Sequence, residues 1–228
     1  MKKILMTLAV LILTGAAANA QAYRNSRYYN QRTGHLDYSL RKNMYEQGEN
    51  YYGLRIGPSF STVNSDDPCL DGGDSQTGLN IGAVAGIALS DKAPLFLETG
   101  LYYTEKGGKK KIENGKKMTY DLNYLEVPIT VKYAYPIDEN FSIQPFAGGY
   151  LACGVDGKIK NYGLRKAESS FSSDCFKRFD GGLRVGCGAA YDMFYFDITY
   201  DIGLANICHD EFDTSHNGCL TLNFGVNF

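Results

Sequence analysis

The chain has 228 residues, a formal net charge of −2 at pH 7, 26 Gly, 18 Tyr, 12 Phe and no Trp. The faintly acidic balance excludes a general nucleic-acid binder, which needs a basic face. Past the N-terminus no run reaches the ~18 unbroken apolar residues of a spanning helix, so any membrane crossing must be made by a closed barrel, the other structure that satisfies its backbone in lipid.

Lys2 and Lys3 precede an apolar run from Ile4 to Leu13 and a small-x-small site, Ala18-Asn19-Ala20. That order predicts a signal peptide over residues 1–20, cleaved before Gln21, and hence an exported protein. Residues 21–50 are polar and irregular and read as a periplasmic leader. Within it Leu36, Leu40, Met44 and Tyr45 have helical spacing, so residues 36–47 form either a short helix or a tether.

From residue 51 onward, apolar residues recur at every second place in eight segments. A half-buried strand has this period. The first runs Tyr52 to Phe60 and the second Leu79 to Leu89. The third, Leu95 to Thr104, points Leu95, Leu97, Leu101 and Tyr103 outward. The fourth covers Tyr120 to Ala134, with Leu125, Val127, Ile129 and Val131 outward. The fifth is Phe141 to Ala152 and the sixth Phe179 to Ala190. The seventh, Met193 to Leu204, points Phe194, Phe196, Ile198 and Tyr200 outward. The eighth is Leu220 to Phe228.

Eight is an even number, as closed antiparallel bacterial barrels require. The connections at 90–94, 135–140 and 191–192 are short, and those at 62–77, 105–118, 153–178 and 204–218 are long. Short periplasmic turns with long surface loops are a barrel's signature. Outward Tyr52, Tyr133, Phe141, Phe194 and Phe228 fall near the short-turn ends and Phe60, Tyr103 and Phe179 near the long-loop ends, as two interfacial girdles would. The predicted fold is an all-β, eight-stranded antiparallel up-and-down transmembrane barrel over 51–228, in the outer membrane of a Gram-negative bacterium. A soluble lipocalin-like barrel is the rival, with its apolar face inward.

Four stretches carry a family resemblance: Tyr52-Gly-Leu-Arg-Ile-Gly-Pro-Ser-Phe60, Leu122 to Tyr133, Gln144 to Leu151, and Phe179 to Gly188. They resemble the PorT-type outer-membrane β-barrel family of Bacteroidetes, most recognisably through Tyr124-Leu-Glu-Val-Pro128. The resemblance implies an eight-stranded barrel and no particular activity.

The inward parity collects charges: Arg55, Glu98, Glu126, Lys132, Asp180, Arg184, Asp197 and Asp201. Buried charges must pair or meet water, and an eight-stranded interior is just wide enough for side chains. A lumen charge network results, with Glu98–Lys132 and Arg184–Asp197 as expected pairs. The alternative is a narrow solute channel, for which many inward glycines leave room. Lys106, Lys109, Lys110, Lys111, Lys116 and Lys117 cluster in the second long connection and form a candidate site for an anionic ligand such as lipopolysaccharide phosphate. The six cysteines sit in a chain bound for an oxidising compartment. Cys208–Cys219 and Cys153–Cys175 are the expected bridges, with Cys69 the alternative to a member of either pair and Cys187 free. The stretch from Cys208 through His209 and His216 to Cys219 also holds zinc-ligand and hydrolase residue types, without the spacing of either, and Asp66, Asp67, Asp71 and Asp74 lack EF-hand order. No catalytic residue, metal or cofactor is assigned. The reading is a structural or surface-interaction barrel. Its partners are outer-membrane lipid, lipopolysaccharide and the barrel-assembly machinery, which would read terminal Phe228. A channel and a loop hydrolase are the other function classes.

Overall fold

A computed structural model describes residues 29–30, 35–36, 45, 49–65, 72–90, 92–111, 117–138, 140–161, 168–169, 177–207 and 215–228. Eight long strands form one closed antiparallel ring: β1 (Tyr51–Ser65), β2 (Gly72–Ala88), β3 (Leu95–Lys111), β4 (Lys117–Tyr133), β5 (Phe141–Asp156), β6 (Phe179–Tyr191), β7 (Phe194–Gly203) and β8 (Ser215–Asn227). Each pairs with its sequence neighbours, and β8 closes on β1 through Leu220↔Phe60 and Val226↔Leu54. Phe228 and Tyr52 add two backbone hydrogen bonds of 2.9 Å at the foot of that seam. No unpaired edge is therefore left along the ring, which is the condition for strands to cross lipid.

Side chains alternate as the sequence period requires, with the polar face inside. Ile129 and Ile198 are 50% and 47% exposed on the outer wall, while Arg55, Glu126, Lys132, Asp180 and Asp201 are 0–1% exposed within. That inversion rules out a lipocalin-like barrel, whose apolar side would face inward. Tyr52, Tyr133, Tyr191 and Phe194 are exposed at the short-turn end, and Phe179 is exposed at the other.

The ring's walls are of unequal height. β1 to β5 have 15–17 residues each and β6 to β8 have 10–13. About 9–11 tilted residues cross a bilayer, so β1 to β5 stand well above it. This corrects the expected boundaries on the long-loop side. The connection placed at 105–118 is mostly strand: β3 continues to Lys111 and β4 starts at Lys117, with Lys106↔Leu122 and Lys109↔Thr119 in register. Above the bilayer the outer face of a strand meets water instead of lipid, so its outward positions need not be apolar and hydrophobic alternation fades while backbone pairing goes on. Lys158–Asn161 extends the tall wall by pairing with the start of β4, and Glu168–Ser169 pairs with it in turn.

Much of 36–47 lies outside the described residues. His35–Leu36 pairs with Tyr29–Asn30 as a two-residue ladder rather than starting a helix, and Tyr45 lies in a turn. There is no helix among the described residues.

Candidate functional site: the lumen

The barrel interior is the one place where the fold gathers polar and charged side chains from every wall. They form two charged tiers joined by a belt of hydrogen bonds.

The lower tier lies toward the short turns. Lys132 of β4 donates from Nζ to Glu98 Oε2 of β3 at 2.7 Å and to the Tyr195 hydroxyl of β7 at 2.8 Å. The Tyr51 hydroxyl of β1 donates to the same Glu98 oxygen at 2.5 Å. Arg55 Nη2 stands 3.8 Å from it. Arg55 also lies over the Tyr195 ring, its Cζ 3.9 Å from the centroid, and donates to the Leu54 and Val226 carbonyls. Two cations thus share one carboxylate, supplemented by phenols and ring faces. Glycine makes the room: a Cβ at Gly86 would overlap the Tyr51 ring, and one at Gly188 would overlap Tyr195. Beneath the tier Tyr51, Phe96 and Tyr45 pack edge to face at 5.4–5.8 Å between centroids. Tyr45 precedes the barrel in sequence, yet it is 3% exposed and hydrogen-bonded to Asn227.

The belt crosses the middle. Asp197 Oδ1 of β7 accepts from Thr199 at 2.7 Å and from Asn223 of β8 at 2.8 Å. Asn80 of β2 donates to Asn223 Oδ1 at 2.7 Å and accepts from Thr104 of β3 at 2.7 Å. Four strands are linked through side chains alone. Gly57 of β1 lies opposite Asn80, and a Cβ there would strike the Leu222 carbonyl.

The upper tier lies toward the long connections. Arg184 of β6 grips Asp201 of β7 with both arms, at 2.6 and 2.7 Å, and also bonds Glu126 of β4. Fork-to-carboxylate pairing of this kind is among the stronger charged contacts. The third strand supplies Lys106. Its Nζ lies 2.8 Å from Glu126, 3.5 Å from Asp201 and 3.8 Å from Asp180, above the Tyr150 ring at 4.2 Å. Asp180 also accepts from Asn217 at 2.9 Å, from Tyr150 at 3.4 Å and from the Gly181 amide at 2.8 Å. Here two cations meet three carboxylates.

All eight inward charges read from the sequence line this interior. One expected pairing is not formed: Arg184 is opposite Asp201, whereas Asp197 lies opposite Gly188, four residues lower on β6. The tight turn sets this register: from Tyr191↔Phe194, seven steps back along β6 and seven forward along β7 bring Arg184 opposite Asp201. Lys106 is a second correction. It is not a surface lysine but a fully buried one, 0% exposed. Lys109 is half-buried near the tall hairpin's tip. Lys110, Lys111 and Lys117 stand on strands, with only their backbone described, and Lys116 lies outside the described residues.

The cysteines are a third correction. Cys153, Cys187 and Cys219 are free thiols, so neither expected bridge is formed; Cys175 and Cys208 lie outside the described residues. Cys219 is buried in the lumen and Cys153 is exposed on the outer wall. Cys69, His209 and three of the four first-loop aspartates also lie outside the described residues. His216 lies 3.2 Å from the Ala205 carbonyl through Nδ1. Among the described residues, no three His, Cys, Asp or Glu are placed to hold a metal ion.

The sequence matches the family described as outer membrane protein beta-barrel domain over residues 21–209. The chain belongs to that family. It is a protein of the Gram-negative outer membrane. No curated protein matches it. Among solved structures, a major outer membrane protein from Thermus thermophilus is 13% identical with a TM-score of 0.50, covering 79% of this chain and 100% of that one. Neisserial surface protein A is 16% identical with a TM-score of 0.47, covering 79% and 99%. Ail, the attachment invasion locus protein of Yersinia pestis, is 18% identical with a TM-score of 0.42, covering 79% and 99%. At such identities the likeness concerns the fold alone.

Proposed function

We propose that this barrel is a closed membrane anchor that works at the cell surface, through its tall outer strands and loops, and that it has no enzymatic activity. One observation carries the reading. The interior is spanned by ion pairs, phenols and an asparagine belt drawn from all of its walls, with Arg55, Lys106, Glu126 and Lys132 at 0–1% exposure. An eight-stranded barrel has about the interior volume that side chains fill. β1 to β5 then hold a raised wall in the medium. Lys109, Lys110, Lys111 and Lys117 stand on the ends of β3 and β4 at its tip, Lys116 adjoins them in sequence, and the five suit contact with lipopolysaccharide phosphates, by charge. Phe228, whose backbone closes the β8–β1 seam, suits the role of the signal read by the insertion machinery. The four motif stretches favour membership of the PorT-type group of Bacteroidetes barrels.

Planar-bilayer recording tests the reading. The purified barrel should give no ion steps above background in molar salt, while Arg55→Ala together with Lys132→Ala should give small steps if it still assembles. Steady conductance from the unmodified protein would favour the narrow-channel alternative and overturn the closed anchor.

A further inference from the structure

The upper tier has an odd construction. Its second cation is brought in by β3 where that strand's pairing with β2 is interrupted while its pairing with β4 continues. The β2–β3 ladder is broken between Ser75↔Gly108 and Asn80↔Thr104. Across that gap the β3 backbone is drawn inward. Ser59 and Ser61 belong to β1, which is not β3's neighbour, yet they donate to the Glu105 and Gly107 carbonyls at 2.6 and 2.9 Å. Gly107 has φ 146°, a conformation L side chains rarely adopt. Gly78 is equally placed, since a Cβ there would strike the Glu105 backbone. Lys106, Gly107 and Gly108 are all buried as a result.

The place the Lys106 ammonium fills is larger in acceptors than Lys106 can use. Glu126, Asp201 and Asp180 surround it at 2.8–3.8 Å, one close ion pair and two longer contacts. Asn217 Oδ1 is buried there without a hydrogen-bond partner. The Tyr150 and Tyr124 rings lie 4.2 and 5.8 Å from Nζ. Carboxylates backed by aromatic faces suit an organic ammonium. A metal ion needs convergent ligands, and no such set occurs among the described residues.

We propose that the upper lumen is a binding site for a small ligand bearing a primary ammonium, and that in this structure the site is held by the chain's own Lys106 on the inward-folded segment 105–108. The segment is then a strap, and an external amine competes with a tethered one. The lysine acts as the occupant and the three carboxylates as the site.

Chemical rescue tests this. Lys106→Ala empties the site, and n-butylammonium supplies the lost group. The urea midpoint of the refolded variant should rise with each tenfold step in n-butylammonium, by mass action. It should rise far less with tetramethylammonium or sodium, which cannot donate N–H bonds. The unmodified barrel should show a much smaller rise, because the amine must first displace Lys106. If Lys106→Ala does not assemble alone, folding yield with and without n-butylammonium becomes the readout. A midpoint or yield indifferent to the amine, or one raised equally by tetramethylammonium, overturns the site. Competition is read in the unmodified protein by trypsin at the Lys106–Gly107 bond. The bond should be closed without the amine and become cleavable as it is raised. Rescue without that opening would make Lys106 a permanent plug and overturn the ligand role.

Discussion

The two lumen tiers solve one problem in opposite ways. Both bury two cations inside a ring of strands. The upper tier is acid-rich, with Glu126, Asp180 and Asp201 around Lys106 and Arg184. The lower is base-rich, with Arg55 and Lys132 sharing Glu98 and the shortfall met by the Tyr51 and Tyr195 hydroxyls and ring faces. A buried charge is tolerable when its partners and hydrogen bonds are complete, and costly when one is removed. The scarce sign should therefore be the sensitive one in each tier. That sign is the cation above and the carboxylate below.

The largest expected effect follows from this. Lys106→Met leaves three buried carboxylates to one guanidinium and should cost about 3–5 kcal/mol, as should Glu98→Gln below, which leaves two cations with no carboxylate in their own tier. Lys132→Met leaves Glu98 with Arg55 and the Tyr51 hydroxyl, and should cost less, about 1.5–3 kcal/mol, the scale of a charged hydrogen bond. Urea titration followed by circular dichroism orders the three. A Lys132→Met barrel as weakened as Lys106→Met would break the contrast between the tiers.

The sequence revealed the two tiers unequally. Period-2 alternation set which face of each strand is inward, so Arg55, Glu98, Glu126, Lys132, Asp180, Arg184, Asp197 and Asp201 could all be read as lumen residues, and all are buried there. Alternation gives parity and not register, which is why Arg184 could be assigned to Asp197, although seven steps from the closing pair Tyr191↔Phe194 reach Arg184 and Asp201. Lys106 was concealed by its surroundings. Glycines and a run of lysines look like a loop, yet Glu98, Gly100, Tyr102, Thr104 and Lys106 share one parity, and extending β3 by two residues would have turned Lys106 inward. Tyr51, Asn80, Asn217 and Asn223 share the inward parity too, but phenols and amides bear no charge to mark them as part of a network. For Tyr45 no local signal exists, because its partners Asn227 and Phe96 are distant in sequence.

The lower tier's dependence on phenols can be isolated. Tyr51→Phe keeps the ring that packs on Phe96 and Tyr45 and removes only the hydroxyl donated to Glu98. The carboxylate keeps Lys132 as its remaining close donor. A hydrogen bond to a charged group contributes about 1.5–3 kcal/mol, so the urea midpoint should fall clearly while the m-value stays constant. In the upper tier the corresponding removal is Tyr150→Phe, whose hydroxyl is 3.4 Å from Asp180. Asp180 retains Asn217 and the Gly181 amide, so this change should matter much less. Equal losses from the two would show that phenols are no substitute for a missing carboxylate in the lower tier.

The smallest effect separates the barrel from the segment before it. Tyr45 enters the lower mouth from outside the ring and adds to the phenolic packing under Glu98. Tyr45→Phe preserves both edge-to-face ring contacts and deletes one neutral hydrogen bond, to Asn227. Such a bond contributes about 0.5–1.5 kcal/mol net. Its loss leaves a buried amide on β8 beside the closing seam, so the midpoint should drop slightly. Tyr45→Ala removes the rings' shared packing as well, at about 0.5–1.5 kcal/mol per aromatic pair beyond area burial, and exposes Phe96 and Tyr51 to the periplasmic side. Hydrogen exchange of the β8 and β1 amides around Asn227 and Tyr51 should rise in Tyr45→Ala and stay near normal in Tyr45→Phe. If Tyr45→Ala were as stable and as protected as the parent, the lower tier would be complete within the ring, and Tyr45 would rest against it without supporting it.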